Sequence, residues 1–244
     1  MVRPLGWIAI GGLSVGVVSL TLAYALGDNA VHRLVDVGSY FGASCGGAAS
    51  ATLGERRLAW SGGDTVDVAL PGTVRYRGGD GDEVIVRGPS DVIARVRIDG
   101  GHIALDCRSF ARLRDIEIVL PGRPFRHIGL SGSGKLVMEN VNQPDLAVRL
   151  SGSGNISARG KADHVTVTIS GAGRARLADL ATQQLTVKVS GSGRIEAAPT
   201  ESADIDLSGS GTVRLLSRPA QLRSHVTGSG RIVQAPFDSA DGKK

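Results

Sequence analysis

The stretch that decides the fold runs from Ile128 to Ile156 and reads IGLSGSGKLVMENVNQPDLAVRLSGSGNI. It contains two copies of the tetrapeptide Ser-Gly-Ser-Gly, each placed between short segments in which apolar residues alternate with others. The tetrapeptide or a close variant occurs six times, with steps of 20, 19, 20, 18 and 19 residues between copies. A repeat of this length is typical of a solenoid. The first residues of the copies are Ser131, Ser151, Ser170, Ser190, Ser208 and Thr227.

The residues on both sides of the tetrapeptide repeat with it. Counted from its first residue, positions −1 and +5 are apolar in every copy, whereas position −2 is mostly polar. This period of two is the pattern of a strand with one buried face. Position −1 is Leu130, Leu150, Ile169, Val189, Leu207 and Val226, and position +5 is Leu136, Ile156, Ala175, Ile195, Val213 and Ile232. Position −2 is Gly129, Arg149, Thr168, Lys188, Asp206 and His225.

Each repeat is therefore predicted to contain two short strands, a glycine corner and a second corner of variable length. A unit this short cannot bury its own apolar stripe, so neighbouring units must stack and form hydrogen bonds with each other. Antiparallel blades are the alternative, and they are less favoured because a meander does not need the same turn at every repeat. We predict an all-β fold, a parallel β-helix with coils of about 19 residues from residue 125 to residue 234.

The composition fits such a fold better than a large globular core. The 244 residues include 35 Gly but only four Phe, three Tyr and two Trp, so the predicted core is thin and layered. The net charge of +5 permits contact with an anionic surface without requiring it. Two cysteines, Cys45 and Cys107, are too few for a disulfide framework, and whether they pair stays open.

The amino terminus predicts export from the cytoplasm. Residues 5–26 carry no charge, which matches the roughly 20 residues that span a bilayer as a helix. The sequence Ala23-Tyr24-Ala25 also fits a signal-peptide cleavage site, so this apolar helix is either a membrane anchor or a cleaved signal. Both interpretations predict an extracytoplasmic protein, in the periplasm or cell envelope, anchored in the inner membrane or secreted.

Between the amino terminus and the repeats, short β-runs such as Thr65–Leu70 and Glu83–Arg87 are separated by turn residues, and no segment has helical spacing. The small-residue-rich segment before them is predicted to be a linker. The predicted organisation is a signal or anchor at 1–27, a linker at 28–60, a β-helix domain at 61–236 and a polar tail at 237–244.

Two motifs resemble ligand sites but lack the required context. Gly129–Lys135 fits the phosphate-loop spacing, but Leu136 replaces the magnesium-binding hydroxyl residue and a strand follows instead of a helix. Gly78–Glu83 resembles a calcium-binding repeat, but it occurs once, without the neighbouring copies that complete such a site. The histidines show no ligand spacing and the outward acids are isolated. We therefore predict no cofactor, no metal and no catalytic residue.

Position +4, immediately after the glycine corner, is the most suggestive surface feature. It is basic in four of six copies, and two further arginines lie at position +6. Stacked like charges are unfavourable unless they spread into water or meet an anion. This ladder is either a solubilising edge or a site for an anionic glycan, lipopolysaccharide or a phosphorylated surface. The candidate residues are Lys135, Arg174, Arg194 and Arg231 at position +4, and Arg176 and Arg214 at position +6.

With the segment VDVALPGTVRYRGGDGDEVIVRGPSDVIARVRIDGGHIAL that precedes them, the Ser-Gly-Ser-Gly coils resemble the head GIN domain of putative auto-transporter adhesins, a domain of unknown function. The resemblance covers roughly Ser61 to Gln234, and its most specific parts are Val84–Pro89 and the repeated turn. It implies a right-handed parallel β-helix in an extracytoplasmic location. It implies no catalytic residues.

Taken together, these features predict a non-enzymatic, adhesin-like binding module of the cell envelope. Its expected partners are an anionic glycan, lipopolysaccharide or another envelope protein, and the membrane itself through residues 5–26 if they are not cleaved. Nucleic acid is not an expected partner. A carbohydrate-active β-helix enzyme and a purely structural envelope scaffold are the alternatives. Clustered carboxylates in a cleft would favour the enzyme, and a flat basic face would favour the binding module.

Overall fold

A computed structural model of the protein describes residues 52–106 and 116–235, and these form strands with one short helix. The predicted signal or anchor at residues 5–26 lies outside the described residues. So do Cys45, Cys107 and the predicted polar tail at residues 237–244. Within the described ranges, no helix is both long and apolar enough to cross a membrane.

The amino-terminal part contains seven short strands. They are β1 Leu53–Ala59, β2 Thr65–Ala69, β3 Thr73–Arg77, β4 Glu83–Pro89, β5 Val96–Asp99, β6 His102–Leu105 and β7 Glu117–Val119. Helix α1, Ser90–Ile93, lies between β4 and β5 and buries Val92 and Ile93. This single turn departs from the prediction of strands alone, because it is too short to produce a helical period in the sequence.

The repeats form the longer strands. They are β8 His127–Gly132, β9 Lys135–Gly152, β10 Asn155–Gly171, β11 Arg174–Gly191, β12 Arg194–Gly209, β13 Thr212–Leu215, β14 Gln221–Gly228 and β15 Arg231–Gln234. Successive coils pair in parallel with their tetrapeptides in register, as in Ser151 with Ser170 and Ser170 with Ser190. The predicted all-β solenoid of stacked parallel coils is confirmed.

At the second corner of each coil, the two short strands predicted from the sequence are joined into one continuous strand. Strands β9 to β12 are 16 to 18 residues long and continue around that corner without a break. Irregularities in pairing occur there, between Ala158 and Gly160 and between Leu177 and Thr182. Such bulges bend a strand and absorb an extra residue while pairing resumes on either side. The coils can therefore vary in length without losing register.

The amino-terminal strands extend the solenoid, and their pairing changes from parallel to antiparallel. Strands β2 and β3 add in parallel to β8 and β9, whereas β4 pairs antiparallel with both β1 and β7. Leu53–Ala59 pairs with Glu83–Pro89 along its whole length, so among the described residues the sheet begins at residue 53. Part of the segment assigned to the linker at 28–60 therefore belongs to the sheet.

The core consists of apolar ladders that run from coil to coil. Position −1 places Leu150, Ile169, Val189 and Leu207 in one such ladder, and each is at most 3% exposed. Burying a side chain of this size stabilises a fold by about 1.5–3 kcal/mol. The ladder ends at Val226, which is 40% exposed, because within the described residues β14 has a neighbour, β12, on one side only.

The aromatic residues lie together at the other end. Trp60, Tyr76 and Phe125 are the aromatic residues of the described part, and all three are buried. Phe125 makes edge-to-face contacts with both others, at ring-centroid distances of 5.3 Å to Trp60 and 5.8 Å to Tyr76. This cluster lies where the amino-terminal strands join the coils.

Candidate functional site

The basic ladder predicted from the sequence forms one continuous surface. Residues at positions +4 and +6 of strands β9 to β13 and β15 point outward and lie in two neighbouring rows, which we call the arginine face. The first row is Lys135, Asn155, Arg174, Arg194, Thr212 and Arg231, and the second is Val137, Ser157, Arg176, Glu196, Arg214 and Val233. All six candidate residues are thus brought together, exposed, on a single sheet surface.

The centre of the arginine face is concave. Arg174 and Arg194 are direct neighbours on adjacent strands, which places their backbones about 4.8 Å apart. Together with Arg176 and Glu196 they line a small depression of about 90 Å³. Its size suits a single anionic group, and the guanidinium groups at its edge are suited to bind carboxylate, sulfate or phosphate in bidentate fashion.

No ion pair compensates these charges. Within residues 52–106 and 116–235, none of the six basic side chains of the arginine face has a carboxylate oxygen within 4 Å. Glu196 lies in register with Arg176 and Arg214 but contacts neither closely enough to form an ion pair. The face therefore has an excess of positive charge that no ion pair among the described residues neutralises.

The same two rows continue onto the amino-terminal strands, where the arginines are paired. Thr73 of β3 is in register with Lys135 on one side and Glu117 on the other. Beyond it, Arg87 bonds Glu117 at 3.3 Å and Glu55 at 3.0 Å. Arg75 also bonds Glu117. The unpaired arginines thus belong to the coils rather than to the whole sheet surface.

These pairs change the acidity of the glutamates. Hydrogen bonds from Arg75 and then Arg87 lower the pKa of Glu117, and a bond from Arg77 lowers that of Glu139. Hydrogen bonds from Arg87 and then Arg57 lower the pKa of Glu55. The carboxylates therefore stay ionised in the folded protein at a pH where they would be protonated in the unfolded chain.

We expect acid to weaken the amino-terminal part of the sheet first. A carboxylate whose pKa is lowered by folding stabilises the fold above its unfolded pKa, about 4.3, and this contribution is lost as the pH falls through the folded value. Glu117→Gln should lower the free energy of unfolding at pH 7 by less than about 1 kcal/mol, because the pairs are exposed. The difference between variant and parent should shrink below pH 4, as measured by urea unfolding. A difference that grows in acid would contradict this assignment.

A second surface lies on the other side of the glycine corner. Outward residues at positions −4 and −2, with the aligned residues of β2, line an open groove of about 470 Å³ across strands β2, β8, β9 and β10. Its floor contains Gly129 and Ala147. We call it the Gly129 groove, and its polar lining consists of Thr65, Asp67, His127, Arg149, Thr166 and Thr168.

This groove is not among the sites predicted from the sequence. The signal was present, because position −2 is Gly129 in the first coil and a residue with a side chain in every other coil. What the repeat could not show is that β2 stacks on β8 and aligns Asp67 with Gly129. The groove therefore depends on a pairing between segments that are some 60 residues apart and share no motif.

The remaining motifs have structural roles or stay isolated. Lys135 begins β9 rather than a helix, so the phosphate-loop spacing around it belongs to a solenoid corner. In the Gly78–Glu83 segment, Asp82 lies 3.8 Å from Arg123 and Glu83 lies 3.6 Å from Arg57. In the part of the chain that the structure describes, no three His, Cys, Asp or Glu residues are grouped to hold a metal ion.

Fold and surfaces together define a class: a β-solenoid protein with outward-facing ladders of polar and charged residues. The sequence from residue 64 to residue 219, more than half of the chain, matches the family described as "Putative auto-transporter adhesin, head GIN domain". The protein belongs to this family. The resemblance seen in the sequence is thereby confirmed. No curated protein matches the sequence.

One solved structure of a similar protein shows the same architecture. A putative adhesin from Bacteroides fragilis is similar with a TM-score of 0.60 and 18% sequence identity, over 78% of this chain and 100% of that one. A putative lipid binding protein from Parabacteroides distasonis gives a TM-score of 0.48 and 16% identity, over 77% of this chain and 98% of that one. At 18% sequence identity, the similarity to the Bacteroides fragilis structure supports the fold and gives no information about a ligand.

Proposed function

We propose that this protein is an extracytoplasmic, non-enzymatic binding module that attaches to an anionic polymer of a cell envelope through its arginine face. The main support for the proposal is that ion pairing changes along the two rows of the arginine face and their continuation onto the amino-terminal strands. The arginines of β3 and β4 have glutamate partners, whereas no carboxylate oxygen of the described residues lies within 4 Å of the six basic side chains of the coils. Family membership supports the adhesin-like part of the proposal.

The geometry of the arginine face suits a repeating ligand. Its rows cross six strands, with neighbouring residues about 4.8 Å apart, so successive cations face a chain that runs along the solenoid axis. An acidic glycan or the phosphorylated saccharide of lipopolysaccharide carries anionic groups along such a chain. Each exposed contact is worth about 0.2–1 kcal/mol, and useful affinity therefore requires several contacts at once.

The family and the apolar segment near the amino terminus support an exported location. The apolar segment at residues 5–26 would either retain the protein at the inner membrane or direct its secretion. In both cases the solenoid would face envelope polymers. Mass spectrometry of the mature protein separates the two, because cleavage removes the segment and an anchor keeps it.

Catalysis is the less favoured function. Most enzymes that hydrolyse glycosidic bonds use a pair of carboxyl groups about 5–9.5 Å apart. Among the lining residues of the Gly129 groove, Asp67 is the one carboxylate, and the central depression of the arginine face has Glu196 alone. Neither arrangement supplies both an acid and a base or nucleophile.

The proposal is tested by removing three charges from the arginine face. The variant Arg174→Gln, Arg194→Gln, Arg231→Gln should bind a heparin hexasaccharide, used as a sulfated polyanion probe, about 10- to 100-fold more weakly than the parent. Binding by the parent should also weaken between 50 mM and 500 mM NaCl, because salt screens exposed charges. Isothermal titration calorimetry measures both effects, and purified lipopolysaccharide can replace heparin in the same assay.

A matched control variant changes the net charge by the same amount as the triple variant of the arginine face. Arg95, Lys188 and Arg223 are exposed cations outside the arginine face, and their joint substitution by Gln also removes three positive charges. This control should bind heparin less than threefold more weakly, because only long-range attraction is reduced. Equal losses in both triple variants would contradict a specific site, and so would binding that does not respond to salt.

A further inference from the structure

The Gly129 groove exists because one side chain is missing from a row of polar residues. Asp67, Gly129, Arg149 and Thr168 follow one another at the same position on β2, β8, β9 and β10. Asp67 and Arg149 are two strand spacings apart, about 9.6 Å between their backbones. Glycine between them leaves a gap that any other residue would reduce.

The carboxylate of Asp67 uses part of this gap. Its Oδ1 atom lies 1.8 Å from the place that a Cβ atom at Gly129 would occupy, so the side chain leans over the glycine toward Arg149. The two charged groups nevertheless form no ion pair at 4 Å or less. A space between an acceptor and a donor therefore remains open to solvent.

The polar groups that line the groove are largely unused by the protein. Within the described residues, the side chains of Asp67, His127, Arg149, Thr166 and Thr168 have no hydrogen-bond partner. A concave site with several convergent polar groups is the usual form of a small-ligand site, and 470 Å³ lies within the common range of about 300–1,000 Å³.

The chemistry of the lining selects the class of ligand. The carboxylate of Asp67 accepts hydrogen bonds and the guanidinium of Arg149 donates them, whereas each threonine hydroxyl does both. A sugar hydroxyl also donates and accepts, so a run of hydroxyls can satisfy all these groups together. With one acid beside one arginine, the lining does not select a polyanion, and it has no Phe, Tyr or Trp side chain for an apolar ligand. We propose that the Gly129 groove binds a short segment of a neutral oligosaccharide.

Size and shape favour an oligosaccharide over a zwitterion such as a dipeptide. A zwitterion would complement Asp67 and Arg149 but leave Thr166 and Thr168 unused. The groove crosses four strands, three spacings or about 14 Å, which suits a chain of two or three sugar rings. Because it lies across the glycine corner from the arginine face and contains one acid and one arginine, this site does not depend on the proposed polyanion site.

The substitution Gly129→Thr tests the proposal without threatening the fold. Threonine is favourable in strands and already stands at the equivalent position as Thr168. The contact that a new Cβ would make is with the flexible end of Asp67, which can move away. The variant should keep the thermal stability of the parent and lose at least about tenfold in affinity for whichever of cellotriose, maltotriose and chitotriose the full-length parent binds.

Controls separate this site from the arginine face and from other ligands. Asp206→Thr, in the same row but outside the groove, should leave saccharide affinity unchanged, and so should the triple Gln variant of the arginine face. Binding should be the same at 50 mM and 500 mM NaCl, since the ligand is uncharged. Failure of all three saccharides to bind, undiminished binding by Gly129→Thr, or binding of alanyl-alanine in their place would each overturn the proposal, whatever the result with heparin.

Discussion

Replacing Gly171 with Ala should lower the free energy of unfolding by about 3 kcal/mol. Gly171 has a φ of +123°, a conformation that residues with a side chain rarely adopt. An added Cβ would lie 2.5 Å from the carbonyl oxygen of Gly152 in the preceding coil, and this oxygen belongs to the backbone. The loss should therefore combine backbone strain with a clash between coils, and urea unfolding followed by circular dichroism measures it.

Gly132 provides the matched control for this substitution. It is the equivalent residue of the first tetrapeptide and has a φ of +94°, but nothing lies within 4 Å of its added Cβ. Gly132→Ala should cost only the backbone strain, about 1–2 kcal/mol. If both substitutions cost the same, the contact between stacked glycine corners does not limit the approach of the coils.

The same contact bears on the proposed function. Gly171 stacks on Gly152 and its corner leads into Arg174, so this contact sets the distance between the coils that carry Asn155 and Arg174. Moving these two coils apart would displace Arg174, which lines the central depression of the arginine face. A partly unfolded coil at Gly171 should therefore reduce heparin binding as well as stability, whereas Gly132→Ala should leave the binding nearly unchanged.

Phe125→Ala should destabilise the protein by about 3–5 kcal/mol, the usual cost of removing a buried phenylalanine. Phe125 is completely buried and touches the rings of Trp60 and Tyr76, so its removal leaves a cavity that these two neighbours cannot fill. Burial in the same cluster raises the pKa of the Tyr76 hydroxyl. Differential scanning calorimetry should show the loss as a lower melting temperature.

A conservative change separates packing volume from aromatic contact. Phe125→Leu keeps most of the volume and should cost about half as much as Phe125→Ala. Fluorescence of Trp60 should shift to longer wavelength in the alanine variant, because water reaches the indole. An alanine variant as stable as the parent would show that the cluster is not a structural centre.

The sequence was informative about the arginine face because that surface is produced by the repeat itself. Once the tetrapeptide copies are aligned, parallel stacking places Arg174, Arg194 and Arg231 in one row, and the structure agrees. The sequence could not show which arginines are neutralised. Arg87 and Arg75 meet Glu117 through pairings between segments up to 42 residues apart that carry no repeat.

By itself, the sequence determined the coils of this protein: their period, their parallel register and the inward and outward direction of each side chain. These properties are local, because a period of two and a glycine corner recur in every repeat. Tertiary structure decided how the unrepeated strands close the amino-terminal end, how Trp60, Tyr76 and Phe125 meet, and how Asp67 comes to lie beside Gly129. The physical reason is that each of these contacts arises from a single pairing between distant segments. A repeating sequence pattern does not predict such a pairing.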